Sequence, residues 1–253
     1  MKIHTPTWIA RIHLATAFLT RLPVPEVCMD AAGSLAAAMS MFPLVGAAIG
    51  GFGGVIYLVC SHIVWPLPAS VIAIAGMVLV TGALHEDGLA DFADGLGARG
   101  DKETRLAAMR DPHVGVYGTL AVGLAILLRV ALLSSAPSGW AGLGALVAAA
   151  SLSRAAIPAA MQLLPPARAD GLGAGAGVPD FTVAALSTAI AITLSLITVG
   201  FGATLLGLLG TVIASALIGL IAKRALGGFT GDVLGAVQQA SELFILIAVA
   251  SQW

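Results

Sequence analysis

Long apolar runs separated by short polar breaks dominate the chain from Leu35 to its end. About 20 mostly apolar residues in helical form cross a bilayer. On that criterion spans are predicted at Leu35–Cys60, Pro68–Leu84, Val116–Ala136, Gly139–Leu164, Phe181–Val199, Ala203–Ala222 and Leu234–Trp253. The second is short and the last is half polar. Phe181 to Ala222 carries no charge, and the break is placed at Gly200 because one straight helix would be too long. Ahead of the spans, residues 5–22 read as an amphipathic interfacial helix. Thr5 caps it, Pro6 opens it, Trp8, Ile9, Ile12, Ala15, Phe18 and Leu19 share a face, and Pro23 and Pro25 end it. The expected fold class is all-α: a polytopic transmembrane bundle of about seven spans forming a single membrane domain over 1–253.

Composition agrees with the pattern. Of 253 residues, 58% are hydrophobic and 10% charged, and the mean hydropathy is +1.00. Soluble domains carry about 25% charged residues, so lipid must be part of this solvent. A net charge of −1 gives no footprint for nucleic acid. Cys28 and Cys60 lie in unrelated segments, so neither a disulfide framework nor a thiolate metal site is indicated. No cleaved signal peptide is expected, because the N-terminus lacks a basic start, apolar core and small-residue cleavage site. Ten of the 12 Lys and Arg fall in the N-terminal segment, the 85–115 loop, the 165–180 loop or the 223–233 loop. Alternating spans put those regions on one side, which the positive-inside rule makes cytoplasmic, the N-terminus included. Gly46, Gly50, Gly51, Gly53 and Gly54 point to close helix packing in the first span, with Pro43 as a kink.

Chemistry concentrates in the 85–115 segment. Seven of the 13 acidic residues lie between Glu86 and Asp111. Asp87, Asp91 and Asp94 are spaced i, i+4, i+7, so a helix would line them along one face. Like charges so placed repel, and a hard cation such as Mg²⁺, which takes carboxylates together with substrate phosphates, relieves the repulsion. His85-Glu86 does not open a zinc-protease helix, because Leu89 stands where the second histidine would be, and no P-loop is present. Arg110 and His113 precede the third span, as candidates for holding phosphate and carrying a proton. Asp232 stands at the mouth of the last span, with Gln238 and Glu242 following on its helical face. Arg129 and Arg154 lie inside spans, where charge is costly unless paired or wet. Arg154 is read as a phosphate ligand, with neutralisation of Asp232 or Glu242 as the alternative, and Arg129 as a structural partner. Carboxylates, arginines and glycine-rich turns on one face suit metal-assisted transfer of a phosphate-linked group.

His85-Glu-Asp-Gly-Leu-Ala-Asp-Phe-Ala-Asp-Gly-Leu-Gly97, Met109-Arg-Asp with Gly115-Val-Tyr-Gly118, and Gly228-Phe-Thr-Gly-Asp-Val-Leu-Gly235 resemble the adenosylcobinamide-GDP ribazoletransferase, or cobalamin(-5′-phosphate) synthase, family. Leu19-Thr-Arg-Leu-Pro-Val-Pro25 and Phe42-Pro-Leu-Val-Gly46 extend the resemblance in order over nearly the whole chain. Pro112 and Phe92 stand where the family often has Ser and Thr. The resemblance implies a Mg²⁺-dependent enzyme of the bacterial inner membrane. It would join α-ribazole, or its 5′-phosphate, to adenosylcobinamide-GDP and release GMP, with room for association with other enzymes of the pathway. The expected metal ligands are Asp87, Asp91 and Asp94. The catalytic candidates are Asp94, Asp232 and His85, with either aspartate as acceptor of the hydroxyl proton. Arg110, Arg154, His113 and Glu242 are the candidates for binding substrate. Two other readings are a CDP-alcohol phosphotransferase-like lipid enzyme and an ion-coupled transporter. The first needs Arg where Asp91 stands, and the second would place its acids at mid-membrane in broken helices.

Overall fold

The computed structural model describes residues 7–25, 32–168, 170–171 and 175–253, so Thr5, Pro6 and Cys28 lie outside the described residues. The first helix, α1, runs Thr7–Leu19 and buries Ala10, Ala15 and Leu19, leaving Trp8 exposed. The expected first span is in three pieces: α2 (Leu35–Ala38), a 3₁₀ turn (Met39–Met41) and α3 (Phe42–Cys60). Pro43 sits in the first turn of α3, where its missing N–H costs nothing, so it starts that helix and does not kink it. Then come α4 (Pro66–Thr81), α5 (Leu84–Gly97), α6 (Lys102–Ala108), α7 (Val116–Ser134) and α8 (Gly139–Leu163). The last two are α9 (Phe181–Leu226) and α10 (Gly231–Ala250). Helix α9 is interrupted at Gly200, whose φ of 77° and ψ of −179° are not helical, as expected from its length.

The described residues thus form an all-α polytopic bundle. Five segments are long and apolar enough to cross a membrane: Leu35–Cys60, Val116–Ser134, Gly139–Leu163, Phe181–Leu226 and Gly231–Ala250. Helices α4 and α5 meet the same test only jointly and are bent by 88°. Gly82 (φ 63°) and Ala83 (φ 57°) make that bend with two successive left-handed residues. For Ala83 this conformation is costly, on the order of 1 kcal/mol, because its Cβ crowds the backbone.

The 85–115 segment, expected as an acidic loop, is instead mostly helix. Its acids are interleaved with His85, Ala90 and Phe92, which α5 buries against the bundle, and that apolar stripe outweighs the carboxylate repulsion. Asp101 caps α6, its Oδ1 accepting from the Thr104 amide at 3.0 Å and the Thr104 hydroxyl at 2.7 Å. These contacts hold its carboxyl below the ordinary value.

Small residues set the central contacts. A Cβ on Gly46, Gly50 or Gly54 would run into Ala150, Leu146 or Leu143 of α8, so α3 and α8 touch backbone to backbone through residues four apart, as expected.

At the centre is a buried charge cluster. Arg129 of α7 donates to Glu86 Oε1 at 3.0 Å and to Glu242 Oε1 at 3.3 Å. Arg154 of α8 donates to the Ala150 carbonyl at 3.0 Å and approaches Glu242 Oε2 at 3.5 Å. Gln238 donates to Glu242 Oε2 at 2.6 Å, and Gln239 donates to Glu86 Oε1 at 3.2 Å. Two cations and two carboxylates cancel. Of the two roles weighed for Arg154 from sequence, phosphate binding and neutralisation of Asp232 or Glu242, the geometry displays the pairing with Glu242. Arg154 is 3% exposed and Glu242 1%, and each is the partner the other needs in an apolar medium. Arg129 has the structural role expected of it.

Removing one charge from such a cluster leaves another buried and unpaired, which costs about 3–5 kcal/mol. Arg129→Met should therefore lower the thermal midpoint of the purified protein far more than Arg99→Gln on the exposed surface. Equal midpoints for the two variants would show that the cluster does not hold α5, α7 and α10 together.

Candidate functional site

Helix α5 enters the bundle at Glu86 and runs beside α10 and α7. Its crossing with α10 is made by two glycines. A Cβ on Gly88 would lie 3.1 Å from the Asp232 Cα, and one on Gly235 would lie 3.2 Å from the Gly88 Cα. These close approaches bring the first and last motifs together, although more than 130 residues of chain separate them.

Asp87 and Asp232 both face a cavity of about 150 Å³ at that crossing. His85, only 4% exposed, and Arg168 share its polar wall. Phe18, Met39, Phe42 and Ile157 form the apolar wall, and Phe18 and Phe42 are stacked with ring centroids 5.8 Å apart. Local chemistry places Asp232. Thr230 caps α10, accepting from the Val233 amide at 3.3 Å, and its hydroxyl donates to Asp232 Oδ2 at 3.1 Å. Asp232 thereby sits in the first turn of α10, where the helix dipole favours negative charge.

Asp94, one of the expected metal ligands and proton acceptors, also ties α5 to α7. Its Oδ2 accepts from the Gly115 amide at 2.7 Å and its Oδ1 from the Gly118 amide at 2.9 Å. The carboxylate of α5 is thus the N-terminal cap of α7. Any side chain at Gly115 or Gly118 would overlap it, which explains the glycines of the second motif. Both oxygens accept from α7, one amide each.

Two other expected binders sit on the surface. Arg110 pairs with Asp170 through Nη2 at 2.7 Å, both exposed. His113 lies 2.8 Å from Asp111 in its own turn, with its side chain 90% exposed. Neither lines the cavity.

Arg168 was not singled out from sequence. The signal was present: it is the one Lys or Arg between residues 165 and 180. Its segment is tied to the third motif by a short parallel bridge, in which the Ala167 amide donates to the Phe229 carbonyl at 2.8 Å and the Phe229 amide to the Pro165 carbonyl at 2.9 Å.

Among the described residues no three His, Cys, Asp or Glu converge as a preformed metal centre. Mg²⁺ does not require one, since it binds through one or two carboxylates plus waters and substrate phosphates. Asp87 on the cavity wall, with Asp91 one turn further along α5, meets that donor requirement.

If Asp94 is the cap of α7, Asp94→Ala should cost about 1 kcal/mol. It should also speed hydrogen exchange at the amides of 115–118 in the purified protein. Unchanged exchange at those amides would mean that α7 does not depend on Asp94.

Comparison with known proteins places these motifs. The family described as Cobalamin-5-phosphate synthase matches residues 11–250. The chain is 40% identical over 244 residues to an adenosylcobinamide-GDP ribazoletransferase of Bradyrhizobium diazoefficiens, covering 96% of this chain and 94% of that protein. It is 42% identical over 251 residues to the protein of that name from Azorhizobium caulinodans, covering 95% of each. The one from Xanthobacter autotrophicus is 43% identical over 258 residues, covering 93% of each. No solved structure matches. With its motifs in order and the match running almost end to end, the chain belongs to the cobalamin-5-phosphate synthase family.

Proposed function

We propose that this protein joins α-ribazole, or its 5′-phosphate, to adenosylcobinamide-GDP and releases GMP, the step that closes the nucleotide loop of cobalamin. The relatives carry the name of that transferase. The observation that carries the reading to this chain is the meeting of Asp87 and Asp232 across one cavity that has an apolar aromatic wall. A ribose hydroxyl of the acceptor attacks the phosphorus attached to cobinamide. The new P–O bond forms as the diphosphate bridge breaks, GMP departs with the bridging oxygen, and the hydroxyl proton passes to a carboxylate.

Asp232 is the proposed proton acceptor. It lies on the cavity, and the Thr230 hydroxyl orients its Oδ2. His85, in the same wall, is placed to bond the substrate. Asp87 and Asp91 would hold Mg²⁺, which when bound neutralises charge on the diphosphate. The rest of the work is positioning. The Gly88–Gly235 contact sets the two aspartates at one distance, and the apolar wall of Phe18, Phe42 and Ile157 excludes water from the reacting atoms. The reaction side is proposed to face the cytoplasm of a bacterial inner membrane, because Lys and Arg gather in the loops on that side.

Purified protein given adenosylcobinamide-GDP and α-ribazole with Mg²⁺ should release GMP, and neither substrate alone should suffice. Asp87→Asn and Asp232→Asn should each lower kcat about a hundredfold, the scale of losing one major electrostatic group. Asp87→Asn should also raise the Mg²⁺ needed for half activity. Asp101→Asn, which touches only the start of α6, should stay within about threefold of wild type. Equal small losses in all three would remove the cavity from the mechanism.

Topology has its own test. Reporter fusions at Ala98 and Ser138 should report opposite compartments, with Ala98 inside. A common compartment would overturn the proposed orientation.

A further inference from the structure

Arg168 is held at the cavity with less bonding than a guanidinium requires. Its Nη1 is buried without a hydrogen-bond partner among the described residues. Its two carboxylate neighbours are distant for hydrogen bonds: Asp232 Oδ2 lies 3.7 Å from Nη2 and Asp170 Oδ1 lies 3.9 Å from Nε. A buried charged donor left unpaired is expensive, because the loss includes its full desolvation cost. The backbone keeps it there nonetheless. The Ala167–Phe229 and Phe229–Pro165 bonds fasten its segment to the loop that leads into Asp232. At Gly228 any side chain would strike the Pro165 carbonyl, so the two segments lie in direct backbone contact. The guanidinium thus has carboxylates within ion-pair range of Nη2 and Nε, while its buried Nη1 has no acceptor among the described residues.

We infer that Arg168 binds a phosphate of the diphosphate substrate, donating through Nη1 to a non-bridging oxygen. The inference deepens the transferase reading by naming the residue that takes the diphosphate. The planar fork of arginine matches phosphate bidentately. An anion in the cavity would satisfy the buried donor. The competing role is that Arg168 only neutralises Asp232. That role uses Nη2, which faces Asp232 Oδ2 at 3.7 Å, and leaves the buried Nη1 without an acceptor among the described residues.

Binding and turnover test the inference separately. The full chain in nanodiscs is titrated with GDP by equilibrium dialysis, with and without Mg²⁺, and steady-state constants are measured for each substrate in turn. Arg168→Gln should weaken GDP binding about tenfold or more, the scale of one charge-assisted hydrogen bond. It should raise KM for adenosylcobinamide-GDP by a similar factor while leaving KM for α-ribazole within about twofold. Arg168→Lys should fall between Gln and wild type, since it keeps charge without the fork. This milder variant carries the test if Arg168→Gln does not accumulate. Arg99→Gln, an exposed cation away from the cavity, should match wild type throughout. Wild-type GDP affinity in both Arg168 variants would overturn the inference, as would equal rises in the two KM values. If wild type bound GDP but released no GMP, the transferase reading would fail while the dialysis still decided the role of Arg168.

Discussion

Two cations and two carboxylates shut away from water must cancel one another, and that requirement organises the bundle. Arg129 on α7 reaches both Glu86 on α5 and Glu242 on α10, and Arg154 on α8 completes the neutral set. Each of these charges alone would cost at least about 3 kcal/mol at mid-membrane. Together they tie four helices at one level. Glu86 directly precedes Asp87, so neutralising the cluster also sets where the acidic face of α5 begins. The acidic face of α5 hangs from this neutralised set.

Much of the fold was legible because lipid imposes simple rules. Apolar run length located the five segments long enough to cross, while Pro68–Leu84 falls on a helix that passes only jointly with α5; the missing charges between Phe181 and Ala222 demanded the break found at Gly200. The glycines of α3 packed as small residues four apart do. Helix α5 was less legible. Its acids suggested an exposed loop, and the burial of Phe92 and Ala90 against neighbouring helices could not be read from the segment alone.

The site was legible in its motifs but not in its pairings. Asp87, Asp232 and His85 do share a wall. Arg154 and Glu242 attracted a substrate role because each stood in an apolar span with no opposite charge nearby in sequence, yet they are each other's answer across 88 residues. Arg110 and His113 were singled out for their residue types, and their exposure removes them from the cavity. Arg168 was passed over in a loop of small residues. Only its backbone tie to Phe229, which no local pattern encodes, places it beside Asp232.

Helix α5 is clamped at both ends. Near its start Glu86 is gripped by Arg129 and Gln239, and near its end Asp94 is gripped by the amides of Gly115 and Gly118. The eight-residue interval between those grips spans about 12 Å at 1.5 Å per residue. A rod pinned at two points can neither slide nor turn about its axis, so the row of aspartates between them acts as a ruler of set length and heading. On the transferase reading proposed above, a donor whose phosphates fell off its graduations would have to adjust itself to the row, since α5 is held at both grips.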